Sequence, residues 1–116
     1  MSDRYIYVQE EKLTKLLITN IDEIYPYAFF GIPSLQEVTI SEGVNKIGKM
    51  AFSDCPSLWK VELPNTLNSL GYGTFNNCAM LENINLPNTI SSIPDYCFNW
   101  NLKLKALELP LSLIHI

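Results

Sequence analysis

The chain has 116 residues, of which 47% are apolar and 17% charged, with 12 acidic and 8 basic side chains and a net charge of −4. This composition is typical of one globular domain and excludes a disordered tail, and its short apolar stretches also exclude membrane insertion. Because an acidic chain without a basic cluster does not neutralise phosphate groups, we expect no nucleic-acid partner.

A 23-residue repeat organises most of the chain. Four copies span residues 24–46, 47–69, 70–92 and 93–115, and six columns of their alignment are apolar in every copy. One of these columns contains only phenylalanine: Phe29, Phe52, Phe75 and Phe98. Because such regularity does not arise by chance at this composition, residues 24–116 are predicted to form four repeats of a single domain.

Residues 1–23 fit the same 23-residue template poorly. Leu17 falls on an apolar column, but Lys12 and Lys15 occupy two of the core columns. A rung that exchanges core residues for lysine is polar toward solvent, so this segment is predicted to be a degenerate N-terminal capping rung. Residues 13–18 retain a strand pattern.

Each full copy begins with a turn segment and continues into a strand. In the second copy, Ala51, Phe52 and Cys55 have the spacing of one face of a short helical turn. Val61 and Leu63 then alternate with polar residues, as in a strand that directs these two side chains inward. The pattern predicts strands near 36–40, 59–63, 82–86 and 105–109, each preceded by a helical turn.

A unit with one short strand and one turn cannot bury its own apolar side. Stacked copies can, since each strand pairs in parallel with the equivalent strand of the next copy, about 4.8 Å away. The sequence therefore predicts a right-handed coil with strands on one face and helical turns on the other. Its core would consist of ladders of equivalent side chains, including the four phenylalanines.

Two copies carry a family motif: IGKMAFSDCPSLWKVELPNTLNS and LGYGTFNNCAMLENINLPNTISS. They resemble the BspA-like leucine-rich repeats, and the resemblance covers residues 24–116. It implies the α/β fold class, a leucine-rich-repeat solenoid with a parallel β-sheet on the concave face and short helical turns on the convex face. It also implies a cell-surface or secreted binding module, often adhesive.

The residues needed for catalysis are scarce. The one histidine, His115, lies at the end of the chain, whereas Ser-His-Asp and Cys-His sites need a well-positioned imidazole. Cys55, Cys78 and Cys97 fall in core columns, so we expect reduced, buried thiols, although Cys55 and Cys78 lie one rung apart and a disulfide between them is geometrically possible. We expect no enzyme, no metal site and no cofactor.

The outward columns of the predicted strands form the candidate binding site. Trp59 is a large aromatic residue in a polar column and is the candidate anchor. The alternative for Trp59 is a packing role along the side chains of Gln36 and Glu82. The residues assigned to polar selectivity are Glu37, Lys60, Glu62, Glu82, Asn83, Asn85, Lys105 and Glu108.

Aromatic residues and chain ends also break the repeat pattern. Phe30 and Trp100 are aromatic outliers on the convex side, and Trp100 is expected to cover an irregular last rung. The C-terminal copy ends in apolar ladder residues without a polar cap, which predicts self-association at that edge or further rungs in a longer chain.

The sequence therefore predicts a non-catalytic module that recognises a protein partner through the concave sheet. One alternative is a structural spacer within a longer solenoid, and another is a carbohydrate-binding module that stacks a sugar on Trp59. Family resemblance favours the cell surface or secretion. The charged N-terminus has no signal-peptide core, so the chain is expected to be cytoplasmic if Met1 is the native start.

Overall fold

A computed structural model of the chain describes residues 12–104. Its strands are β1 (Lys15–Ile18), β2 (Glu23–Ile24), β3 (Glu37–Ile40), β4 (Lys46–Ile47), β5 (Lys60–Glu62), β6 (Ser69–Leu70) and β7 (Asn83–Ile84). All pairings are parallel, and they form sheet A, in the order β1-β3-β5-β7, and sheet B, in the order β2-β4-β6. A solenoid with parallel sheets is therefore confirmed. The strand predicted near 105–109 lies outside the described residues.

The core consists of the predicted ladders. Val38, Ile40, Val61 and Leu63 are buried, as expected for the inward positions of β3 and of the segment through β5. The phenylalanine rings stack with centroids 5.3, 5.7 and 5.9 Å apart along Phe29, Phe52, Phe75 and Phe98. The first three are buried, whereas Phe98 is only half-buried. The prediction that all four are buried is therefore wrong for Phe98, which stacks on Phe75 as the last ring of the ladder.

The predicted helical turns are wrong, because residues 12–104 contain no helix. The segments 25–32, 48–55, 71–78 and 94–101, which we call the turn face, are chains of tight turns. Alternate amides donate to the next rung, with Tyr27, Phe29 and Gly31 bonding the carbonyls of Lys49, Ala51 and Ser53 at 2.9, 2.8 and 2.9 Å. An α-helix would direct all of these amides within one rung and leave neighbouring rungs unpaired here.

Two columns of left-handed residues shape each turn. The first contains Tyr27, Met50, Gly73 and Tyr96 at φ of 61, 57, 60 and 61°. The second contains Gly31, Asp54, Asn77 and Trp100 at φ of 71, 61, 59 and 64°. Glycine, aspartate and asparagine tolerate this conformation, so the second column carries a sequence signal for a turn that the helical interpretation overlooked.

The first rung pairs with the second at an offset of 22 residues, not 23. Leu16 aligns with Val38 and Lys15 with Glu37, whereas β2 and β4 keep the 23-residue offset. A shift of one residue exchanges the two faces of a strand. The assignment of Lys15 to a core column and of Leu17 to an apolar one is therefore wrong: Lys15 and Leu17 are exposed, and Leu16 is buried.

Sheet B ends at β6 because the next rung carries proline. The amides of Gly48 and Gly71 donate to the carbonyls of Ile24 and Ile47 at 2.7 and 2.8 Å, each from the later rung to the earlier one. Pro94 occupies the equivalent position and has no N–H to donate. A Cβ on Gly71 would lie 2.3 Å from the amide nitrogen of Lys49, so glycine here also permits close stacking of the rungs.

The three cysteines are free and buried, as predicted. Cys55 and Cys78 donate their S–H groups to the carbonyls of Phe29 and Phe52 at 3.3 and 3.1 Å. In the next rung the Nδ2 of Asn101 donates to the equivalent carbonyl at 3.0 Å. Burial raises the pKa of all three thiols, to about 12 for Cys78 and Cys97. Burial and backbone hydrogen bonds are the features of thiols that serve as packing groups in a core.

Candidate binding surface

Sheet A aligns the predicted polar residues of successive strands. Glu37, Lys60 and Asn83 are partners in the register of β3, β5 and β7. Glu62 pairs with Thr39 in the next outward row. Trp59 and Glu82 directly precede β5 and β7. The structure thus brings seven of the nine predicted site residues to one sheet, and Lys105 and Glu108 lie outside the described residues.

The backbone of Trp59 is held between two rungs. Its N–H donates to the carbonyl of Gln36 at 2.9 Å, and its own carbonyl accepts from the amides of Glu82 and Asn83 at 3.2 and 3.0 Å. The side chain is half-buried. The ammonium of Lys60 lies 6.0 Å from the centre of its ring, within the range of a cation–π contact. Trp59 is therefore an amphipathic group on a rigid support.

Ion pairs run over the same sheet. The Lys60 Nζ lies 3.4 Å from Oε2 of Glu62, and the Lys15 Nζ lies 4.0 Å from Oε2 of Glu37. Such surface pairs contribute about 0–1 kcal/mol each to stability and are screened by salt. Their charges are consequently available to a partner that offers complementary groups.

Asn85 extends sheet A beyond β7. Its Oδ1 accepts from the amide of Leu63 at 2.9 Å, and its Nδ2 donates to the carbonyl of Leu63 at 3.0 Å. The side-chain amide thus takes the place of the backbone of the next strand. This geometry assigns a structural contact to a residue that the sequence suggested for ligand binding.

A second concave feature lies on the turn face, and sequence reasoning missed it. A cleft of about 520 Å³ is lined by Met50, Asp54, Tyr72, Asn76, Asn77, Tyr96, Asn99 and Trp100. Trp100 stood out in the sequence as an aromatic outlier. Tyr72 and Tyr96 did not, because neither column has a consistent residue type across the four copies.

No group of three or more His, Cys, Asp or Glu side chains that might hold a metal ion occurs within residues 12–104. The same part of the chain has no helix with the length and apolar character of a membrane span.

The 23-residue repeat is that of a known family. The sequence matches the family model of the BspA type leucine rich repeat region in six copies over residues 3–116. The chain belongs to the BspA-type leucine-rich-repeat family. The matched range begins well before residue 24 and includes β1, the BspA-type rung whose 22-residue offset obscured its pattern. No protein of curated function matches the sequence.

Solved structures share the BspA-type solenoid. A leucine-rich repeat protein from Bacteroides ovatus is 33% identical, with a TM-score of 0.81 over 86% of this chain. A leucine rich cell surface protein from Faecalibacterium prausnitzii is 21% identical (TM-score 0.64, 88% of this chain), and the pneumococcal vaccine antigen PcpA is 20% identical (0.61, 94%). The chain spans only 26%, 33% and 37% of the lengths of these three proteins.

Proposed function

We propose that this BspA-type chain is a non-catalytic module of a surface protein and that it recognises a protein partner through sheet A. The observation that carries the proposal is the position of Trp59, which is half-buried and anchored by backbone hydrogen bonds to both neighbouring rungs. Tryptophan in such a supported position is the residue type most enriched among the dominant contacts of protein interfaces.

The polar surroundings of Trp59 support the same proposal. Lys60, Glu62 and Glu37 place both signs of charge on adjacent strands, and each is engaged in an exposed or half-exposed ion pair. Interfaces commonly combine an aromatic centre with a polar rim. Charges arranged in this way select a partner by complementarity and raise the rate of association more than they raise affinity.

The non-catalytic part of the proposal rests on the thiols. Burial raises the pKa of Cys78 and Cys97 to about 12, so neither supplies a thiolate near neutral pH. The surface location is proposed by analogy, since the Faecalibacterium prausnitzii structure is described as a cell surface protein.

The test is to identify a partner at position 59 and then to measure its affinity. A photo-crosslinking residue at position 59 captures proteins in contact with sheet A, and the captured protein is purified. We expect Trp59→Ala to weaken its binding at least about tenfold. Phe30→Ala is the matched control, because it removes an exposed aromatic ring from the turn face. Equal affinity of the Trp59→Ala variant and the native chain would refute the role of sheet A.

A structural spacer is the second candidate function. It is favoured by the small share, 26%, of the Bacteroides ovatus protein that the chain covers. A spacer predicts no saturable partner at position 59. Carbohydrate stacking on Trp59 is the weaker alternative, because the side chain of Trp59 is half-buried and offers less open ring surface than an exposed aromatic residue.

A further inference from the structure

We infer that the cleft on the turn face is a carbohydrate-binding site, separate from sheet A, that takes a neutral oligosaccharide. Its volume of about 520 Å³ lies within the range of about 300–1,000 Å³ that is usual for small-molecule sites.

Met50, one of the lining residues, packs over a rung that lacks a side chain. Gly73 occupies the column of Tyr27, Met50 and Tyr96, so the side chains of Met50 and Tyr96 flank a position that is backbone only. A Cβ at Gly73 would lie 2.5 Å from the Sδ of Met50. The thioether therefore leans over the glycine and forms part of the wall, while the inter-rung amide bonds of the turn face keep the surrounding backbone in place.

Aromatic rings form the exposed walls. Tyr72, Tyr96 and Trp100 are 45%, 55% and 64% exposed, although large apolar groups normally lose water contact on folding. The rings of Tyr72 and Tyr96 lie 5.4 Å apart at an angle of 58°. One face of a pyranose ring carries only C–H groups and packs on such aromatic surfaces, whose faces carry partial negative charge.

The remaining walls are amides and one carboxylate. Asn76, Asn77 and Asn99 supply planar amides, which donate and accept hydrogen bonds as sugar hydroxyls require. Within the described residues, the Oδ1 of Asn76 is buried and has no hydrogen-bond partner. A buried acceptor without a partner costs free energy. We infer that the Asn76 side chain turns toward the cleft when a ligand binds, so that this oxygen accepts from a ligand hydroxyl and the cost is removed.

The charge of the cleft selects a neutral ligand. Asp54 is the one charged residue among its lining groups, and its Oδ1 already accepts from the hydroxyl of Ser53 at 2.8 Å. The other carboxylate oxygen remains an acceptor for hydroxyl groups. Beside the wall, the Lys49 ammonium lies 5.9 Å from the centre of the Tyr72 ring and supplies a charge of the opposite sign. The described lining therefore offers neither a group of cations for an anion nor a pair of carboxylates for a cation. Flat apolar faces, amides and a single acceptor together match an uncharged sugar.

The experiment measures binding of purified neutral oligosaccharides, for example glucose, mannose and N-acetylglucosamine disaccharides and trisaccharides, to the full chain by calorimetry and tryptophan fluorescence. We expect saturable binding of at least one of them. Trp100→Ala and Asn76→Ala should each weaken it at least about tenfold. Asn76→Ala removes the unpartnered oxygen, so a purely structural asparagine would show a change in unfolding midpoint but no specific loss of sugar affinity.

Two variants serve as controls. Phe30→Ala removes an exposed ring on the turn face outside the cleft, and Trp59→Ala removes the candidate anchor of sheet A; both should retain sugar binding. Absence of binding to every oligosaccharide would overturn the inference, as would unchanged affinity in Trp100→Ala and Asn76→Ala. Binding of a proline-rich peptide in the cleft without sugar binding would also overturn it. None of these outcomes depends on a protein partner at sheet A.

Discussion

Sheet A and the turn face share the same rungs but present different chemistry. On sheet A, charged groups pair with each other, as Lys60 does with Glu62 at 3.4 Å. On the turn face, aromatic rings and amides line an open cleft, and the buried Oδ1 of Asn76 has no partner among the described residues. The comparison shows that the repeat determines the backbone and the core, whereas the outward columns are free to carry separate binding chemistry on each face.

The largest effect is expected in the core that both faces share. Phe52 is fully buried between two stacked rings, so Phe52→Ala should lower the free energy of unfolding by about 3–5 kcal/mol. Among the described residues, Phe98 stacks on one ring, that of Phe75, and Phe98→Ala should cost clearly less. Urea denaturation monitored by circular dichroism measures both. Equal losses of unfolding free energy in the two variants would show that a ring in the middle of the ladder contributes no more than the ring at position 98.

The second largest effect is expected at Gly71, where two rungs stack closely, and it should exceed the effect at Gly73, which lies in a left-handed turn column. A Cβ at Gly71 would meet backbone atoms of Gly48 and Lys49 within 2.7 Å, whereas at Gly73 it would meet only the flexible end of Met50 below 3.0 Å. Gly71→Ala should therefore destabilise the protein by about 3 kcal/mol. Gly73→Ala should cost about 1–2 kcal/mol, from its positive φ. A larger loss at Gly73 would contradict this ranking of the two sites.

The buried thiols predict a loss of stability at high pH. Their pKa is raised in the folded state, so folding favours the protonated form and stability is constant below the ordinary thiol pKa of 9. Between pH 9 and about 12, Cys78 and Cys97 should each lower the free energy of unfolding by about 1.4 kcal/mol per pH unit. Cys97→Ala, which introduces the residue found at Ala51 in the same column, should reduce the slope. An unchanged slope would exclude this thiol as a cause.

The smallest effect on stability is expected at Asn85, which directly follows β7 of sheet A. Asn85 forms two hydrogen bonds with the backbone of Leu63, and Asn85→Ala should cost about 1–2 kcal/mol. Asn83 is an exposed asparagine on β7, and Asn83→Ala should change stability by less than about 0.5 kcal/mol. Differential scanning calorimetry of the two variants checks the difference. If Asn83→Ala proved the more harmful, Asn85 would not be the extension of the sheet.

The core and the register of sheet A could be predicted from the sequence because burial repeats with the backbone. Buried residues such as Val38 and Val61 recur at a spacing of 23 residues, and they are partners in the sheet. The first rung was predicted wrongly because it has one residue fewer between β1 and β2 than the next rung has between β3 and β4. As a result, Leu16 occupies the position at which the 23-residue template placed Lys15. A fixed period cannot detect such a local deletion.

The turn face was harder to predict for a different reason. Apolar residues at Ala51, Phe52 and Cys55 suit one face of a helix, but they also suit a chain of turns that buries the same side chains. Only the direction of the amides distinguishes the two, and side-chain patterns do not report it. The cleft is lined by residues that differ between rungs, such as Trp100, so no column predicts it. The sheet A site follows from strand alternation, and its role in binding stays a prediction.

The direction of the inter-rung hydrogen bonds affects how the dipole of the solenoid changes as rungs are added. On the turn face the earlier rung donates to the later one, as Tyr27 does to Lys49, while beside sheet B the later rung donates to the earlier one, as Gly48 does to Ile24. Each row sums its peptide dipoles along the stack, as a helix does. Because the two rows point in opposite directions, their dipoles oppose each other. Added rungs therefore build up little charge at the ends, and such a stack can lengthen without a growing macrodipole.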